Sequence, residues 1–140
     1  MAEYTNAALQ TVAVGGYVAF TETPVCGGCN ILHRAGSGVV QLRGNTNQCR
    51  ALYKVSFGCN IAVPEGGTPG EISLAIALDG EALNSATSIV TPGAAEEFWN
   101  VFTAVFVEVP RCCCVSAAVI NTSDQAINVQ NANLIVERVA

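Results

Sequence analysis

Charge is scarce in this sequence. Only 12% of its residues are charged, Lys54 is the only lysine and His33 the only histidine, whereas a soluble domain carries about 25% charge. The arginines are scattered and the net charge is −5, so the clustered basic face of a nucleic-acid binder is missing. Long apolar runs are missing too. The most apolar stretch, FWNVFTAVFVEVP, contains Asn100, Thr103 and Glu108 and is shorter than the roughly 18 residues of a spanning helix. No membrane span is expected. The opening MAEYTNAALQTVAVGG has neither a basic n-region nor a compact apolar h-region, so it reads as no signal peptide, with a reducing cytosol as the expected compartment. No segment repeats apolar residues at three and four, so no long helix is expected; GAAEEFW reads as a loop entering a strand. Without linkers, charge runs or internal repeats, residues 1–140 read as one domain, with 1–37 its least regular part.

What is abundant is apolar character, at 51% of residues. So few charges cover a surface poorly, and the expectation is a subunit that buries much of its surface against copies of itself. The pattern that carries the apolar residues is alternation. In EISLAIALD, Ile72, Leu74, Ile76 and Leu78 point one way while Ser73, Ala75, Ala77 and Asp79 point the other, the period of a strand. Asp79-Gly80 follows as a hairpin signal. Similar runs are expected near 8–14, 17–23, 30–34, 38–43, 49–63, 86–91, 97–109, 112–120 and 126–139. Turn clusters such as GG, CGG, GNTN, PEGGTPG, TPG and NTSDQ separate them, as in an all-β sandwich. One strand differs. In FWNVFTAVFVEVP, Trp99, Val101, Val105, Val107 and Val109 share a face with Thr103, and Phe98, Phe102, Ala104 and Phe106 occupy the other. A strand apolar on both sides packs its core with one face and something else, here a second subunit, with the other.

The order RALYKVSFGCNIAVPEGG, GEISLAIALDGEAL, SATSIVTPG, FWNVFTAVFVEVPRCC and AINVQNANLIVERVA resembles the compact trimeric jelly rolls of the tumour-necrosis-factor-like superfamily. It is most similar there to bacterial and phage members: C-terminal domains of exosporium collagen-like glycoproteins, and small proteins encoded among the virion genes of phages of gut Firmicutes. The likeness spans about residues 38–140. It implies an all-β jelly roll of two antiparallel sheets and about ten strands, a homotrimer, with the chain termini near one another. It further implies that Tyr53, Phe57, Phe102 and Phe106 line the threefold axis. A head with no collagen stalk and no anchor fits a virion protein made in the bacterial cytoplasm. Capsid or another virion protein, and a host-surface glycan, are the expected partners. The competing expectations are a bacterial cell-surface, spore-coat or fibre subunit, and a carbohydrate-binding module using Tyr4 and Tyr17.

No catalytic constellation stands out, and an enzyme is not expected. His33 would need a thiol within hydrogen-bond reach and an orienting partner; the bland reading is a solvent-facing strand residue. Asp79 and Asp124 read as turn formers. Glu96 and Glu97 are adjacent, so on a strand they diverge. Glycine-rich GGTPG lacks the lysine and strand–helix context of a phosphate cradle, and no cofactor is expected. The seven cysteines are Cys26, Cys29, Cys49, Cys59, Cys112, Cys113 and Cys114. Three readings apply, in order of preference. They pack as small buried hydrophobes, form disulfides between loops or subunits, or supply a four-cysteine metal site from Cys26, Cys29, Cys112 and Cys114. Against the metal, Cys112 and Cys114 on one strand face would stand roughly 6–7 Å apart.

Overall fold

The computed structural model describes all residues, Met1–Ala140, and contains strands, turns and loops but no helix. Eleven strands follow in order: β1 (Ala2–Asn6), β2 (Gln10–Val12), β3 (Glu22–Val25), β4 (Ile31–His33), β5 (Val40–Arg43), β6 (Arg50–Ala62), β7 (Ile72–Leu78), β8 (Glu81–Val90), β9 (Trp99–Pro110), β10 (Cys114–Asn121) and β11 (Ile127–Arg138). One antiparallel sheet runs β3-β1-β11-β6-β9, with β2 pairing the far part of β11, and the other runs β4-β5-β10-β7-β8. The two stack as a jelly-roll sandwich.

The long strands form where alternation is strongest. In β6, Ala51, Tyr53, Val55, Phe57, Cys59 and Ile61 all point into the sandwich and are buried. Leu52, Lys54, Ser56, Gly58 and Asn60 face the other way and are partly exposed. The partners across the core include Leu42, Ile72, Leu74, Ile76 and Val119, all buried. Between the layers Phe20 meets Phe57 edge-on, with centroids 6.1 Å apart.

The first 33 residues contribute β1, β2 and β3 to one sheet and β4 to the other. The run expected at 17–23 is mostly loop, touching β10 through one bridge between Tyr17 and Ile120. Its strand starts later, at Glu22. The opening strand Ala2–Asn6 was not expected at all; it pairs with the last strand, Ala2 opposite Val136. This pairing puts the two chain termini side by side.

Candidate functional site: an aromatic ridge and a thiol-bearing end

Pairing between β6 and β9 decides which residues share a face. Tyr53 lies opposite Val107 and Phe57 opposite Thr103, whereas Phe102 lies opposite Gly58 and Phe106 opposite Lys54. Directly paired residues point to the same side of a sheet. Tyr53 and Phe57 are therefore on the inner face, at 0% and 1% exposure, and Phe102 and Phe106 on the outer face, at 67% and 61%. The expectation that all four line one axis fails for Tyr53 and Phe57, which their own protomer encloses. The signal that would have separated them is in β6 itself: Lys54, Ser56 and Asn60 mark the opposite side as the wet one. Tyr53 serves the core instead. Its hydroxyl donates to the Arg43 carbonyl at 2.6 Å, and the Arg138 guanidinium lies 5.9 Å from its ring centroid. Burial, the largest cause, raises its pKa above the ordinary value.

Phe102, Ala104 and Phe106 stand on an edge strand, preceded by the exposed Phe98 of the loop before it, while Trp99, also exposed, pairs with inward-facing Ile61. The Phe102 ring lies over Gly58, where an added Cβ would sit 3.5 Å from its Cδ2. Beside this ridge the same face is low. Gly58 is followed across the sheet by Asn133, and Ala104 by Ser56 and Ile135. Towards one end it carries an amide ladder, in which Asn100 Nδ2 donates to Asn60 Oδ1 at 3.1 Å and Asn60 Nδ2 to Asn131 Oδ1 at 3.2 Å. The outcome is a ridge of rings beside a floor of small and amide side chains, with Lys54 and Glu137 paired across the sheet next to Phe106.

Residue pairings also separate the ends of the sandwich. One end gathers the β3–β4 loop, the β5–β6 loop, the β7–β8 hairpin and the β9–β10 turn, because Val25 pairs with Glu3, Arg50 with Pro110, Cys114 with Arg43 and Leu78 with Glu81. Cys26, Cys29, Cys49, Cys112, Cys113 and Cys114 all stand there, exposed and unbonded, and only Cys59 is buried. The expectation of buried packing thiols holds for Cys59 alone, because the others lie in loops and at strand ends. Burial pushes the Cys59 thiol up to about 12. No three histidine, cysteine or acidic side chains meet in a metal-holding group, so Cys26, Cys29, Cys112 and Cys114 are not brought together as a tetrahedral set. The opposite end holds residues 63–71, 91–98 and 122–126, tied by Glu96 N–H to the Val63 carbonyl at 2.8 Å. Here Gln125 clamps Thr68 through two hydrogen bonds. They line an open cleft of about 310 Å³ with Glu71 and Asp124 and no apolar wall.

His33 is not solvent-facing. Its ring packs 4.4 Å from that of Tyr4, its Nε2 meets the Ser37 carbonyl at 2.8 Å, and its buried Nδ1 has no partner. No thiol stands in a nucleophile–base relation to it. Tyr4 itself is buried, which removes it as a loop aromatic for sugar stacking; Tyr17 remains exposed.

Against sequence-family profiles and curated proteins the chain matches nothing. Against solved structures it matches along nearly its whole length. Eiger TNF from S. frugiperda superposes with a TM-score of 0.69 at 14% identity, covering 99% of this chain and 91% of that one. The chain folds as a tumour-necrosis-factor-like jelly roll. Murine APRIL gives a TM-score of 0.65 at 10% identity, covering 97% and 96%. The globular domain of zebrafish complement 1qA protein gives 0.54 at 6%, covering 96% and 94%. Both cover the amino-terminal strands as well, so the TNF-like likeness is not confined to residues 38–140.

Proposed function

We propose that this TNF-like jelly roll is a non-enzymatic structural protein, a homotrimeric knob that decorates a phage capsid or heads a short virion fibre. The observation that carries the assembly is the ridge of Phe98, Phe102 and Phe106, large apolar side chains left in water along one sheet face. Contiguous exposed apolar surface of this kind marks an interaction site. Ridge and floor lie side by side on one face, so in a cyclic arrangement the ridge of each copy rests on the floor of the next and the ring closes. Burying a phenylalanine contributes about 1.5–3 kcal/mol, and a threefold ring repeats that gain at each interface. The TNF-like fold supports the same stoichiometry. The virion setting is supported by the resemblance of the LDGEAL hairpin and the NLIVERVA strand to phage virion proteins, and the exposed loops at both ends are its contact surfaces for capsid or glycan.

Light scattering on reduced protein tests the assembly. Three chain masses are expected for the native chain, and one for Phe102→Glu/Phe106→Glu with an unchanged far-ultraviolet spectrum. A native chain that is monomeric in reductant ends the reading. Co-sedimentation with purified capsids, against a glycan array with the same protein, separates the virion role from a carbohydrate-binding module. Encoding beside sporulation genes instead of capsid and portal genes would favour the bacterial-surface reading.

A further inference from the structure

The distribution of thiols has no counterpart in a plain decorating knob. Six of the seven cysteines stand on one end of the sandwich, exposed and unbonded, and the loops of the other end contain none. Four separate segments deliver them: the β3–β4 loop carries Cys26 and Cys29, the residue before β6 is Cys49, the β9–β10 turn carries Cys112 and Cys113, and β10 begins with Cys114. Backbone bonds hold these segments together. Arg111 N–H donates to the Cys49 carbonyl at 3.0 Å, Cys112 N–H to the Gly44 carbonyl at 3.0 Å, and Gly44 N–H to the Cys113 carbonyl at 2.8 Å. The β3–β4 loop is tied to the same end by Arg43 N–H donating to the Asn30 carbonyl at 2.9 Å. Cys112 holds a positive φ of 64°, a left-handed conformation that a side chain adopts at a cost.

Charge follows the same axis. The thiol-free end carries Glu65, Glu71, Glu96, Glu97 and Asp124 with no lysine or arginine in its loops. Two such ends repel each other. The thiol end carries Arg43, Arg50, Arg111 and Arg138 together with Asp79, Glu81 and Glu108, so it has no acidic excess, and Arg50 pairs with Glu108 at 3.4 Å. Only this end can face its own like without a net acidic clash, and only it has thiols to offer from both sides.

We propose that the thiol-bearing end is a covalent self-association site, joining end to end with the same end of a second copy through intermolecular disulfides. The oxidant is a small-molecule disulfide. A protein thiolate attacks one sulfur of the oxidant, forms a mixed disulfide and expels one thiolate. A thiolate of the second copy then attacks the protein sulfur of that mixed disulfide and expels the other. Two protein thiols lose two electrons to the oxidant, and their two protons pass to the two small thiols released. The contact is isologous, so it closes after two bodies and does not grow into a fibre. A monomer becomes a covalent dimer and a trimer a six-chain body, so the proposal does not require the threefold assembly.

The test uses an equal mixture of light and nitrogen-15-labelled full-length protein, reduced and then exposed to oxidised glutathione. The expected results are a doubling of native mass by light scattering, chains linked on a denaturing gel without reductant, and reversal by dithiothreitol. Linked peptides should join one light to one heavy chain through Cys26, Cys29, Cys49 or Cys112–Cys114. Cys112→Ser/Cys113→Ser/Cys114→Ser should cut the doubled fraction several-fold while keeping the reduced native mass. Single chains carrying only internal disulfides or glutathione adducts overturn the proposal. So does linkage without a change in native mass, which would be bonding within one existing assembly. The reduced native mass reports the threefold reading separately.

Discussion

Cys59 and Tyr53 show how one position in a strand sets the chemistry of a side chain. Cys59 shares the inward side of β6 with Tyr53 and Phe57, and burial pushes its thiol from the ordinary 9.0 up to about 12. A thiolate is the reactive form, so an aromatic disulfide reagent should titrate six thiols in the native protein and the seventh only after unfolding. The raised value also links to stability. Between 9.0 and about 12 the folded chain holds the Cys59 proton while the unfolded chain loses it. The protonated thiol's contribution is therefore complete below pH 9 and declines as pH rises through the folded value. Urea unfolding at pH 8, 10 and 11 should show this decline, less steeply in Cys59→Ala. The phenol of Tyr53 acts through a hydrogen bond. Tyr53→Phe leaves the Arg43 carbonyl without its 2.6 Å partner and should cost about 1 kcal/mol of unfolding free energy.

The turns at the thiol end decide how strands β5 to β10 meet. Asp79 and Gly80 both have positive φ, 52° and 84°, as the tight turn of a two-residue hairpin requires. The Asp79 carboxylate accepts the Ser116 N–H at 2.9 Å. Only the Tyr17 hydroxyl, at 3.8 Å, comes near an added Cβ at Gly80, so Gly80→Ala tests conformation alone and should cost about 1–2 kcal/mol. Gly44 is a different case. An added Cβ there would collide with the Pro110 carbonyl oxygen, the acceptor of the Cys113 N–H that closes the β9–β10 turn. Gly44→Ala should cost about 1–3 kcal/mol and displace the turn that carries Cys112 and Cys113. Thermal unfolding of both variants, with peptide mapping of Cys112–Cys114 alkylation rates, separates a weakened fold from a displaced turn.

At the scale of the whole molecule the low charge and the exposed rings belong together. A monomer this apolar would leave Phe102 and Phe106 in water. Association that removes them from water binds the folded chain and not the unfolded one, so it stabilises by mass action. The midpoint of thermal unfolding should therefore rise with protein concentration in the native chain, and be independent of concentration in Phe102→Glu/Phe106→Glu. Both measurements are made in reductant, so that end-to-end disulfides do not contribute. The two proposed contacts use different surfaces, a sheet face and a loop-bearing end, and their variants should combine additively because the sites share no side chain.

Much of this was legible in the amino-acid order. Alternation in β6, β7 and β9, with turn residues between them, determined an all-β chain and marked the two sides of β9 as valine and phenylalanine. A strand's period of two assigns residues to faces whatever the strand packs against. Lys54, Ser56 and Asn60 already mark the wet side of β6, but β9 is apolar on both sides, so which of its faces meets the core is a matter of pairing that only the tertiary structure decided: the valine side turned inward because it pairs with Tyr53 and Phe57 of β6. The runs expected at 8–14 and 30–34 contain β2 and β4, but β1 was missed and β3 misplaced for a related reason. Three to five residues carry too few alternations to be read, and they are held by neighbours distant in the chain. The cysteines, spread from position 26 to 114, met at one end only because antiparallel connections return the chain there at each pass.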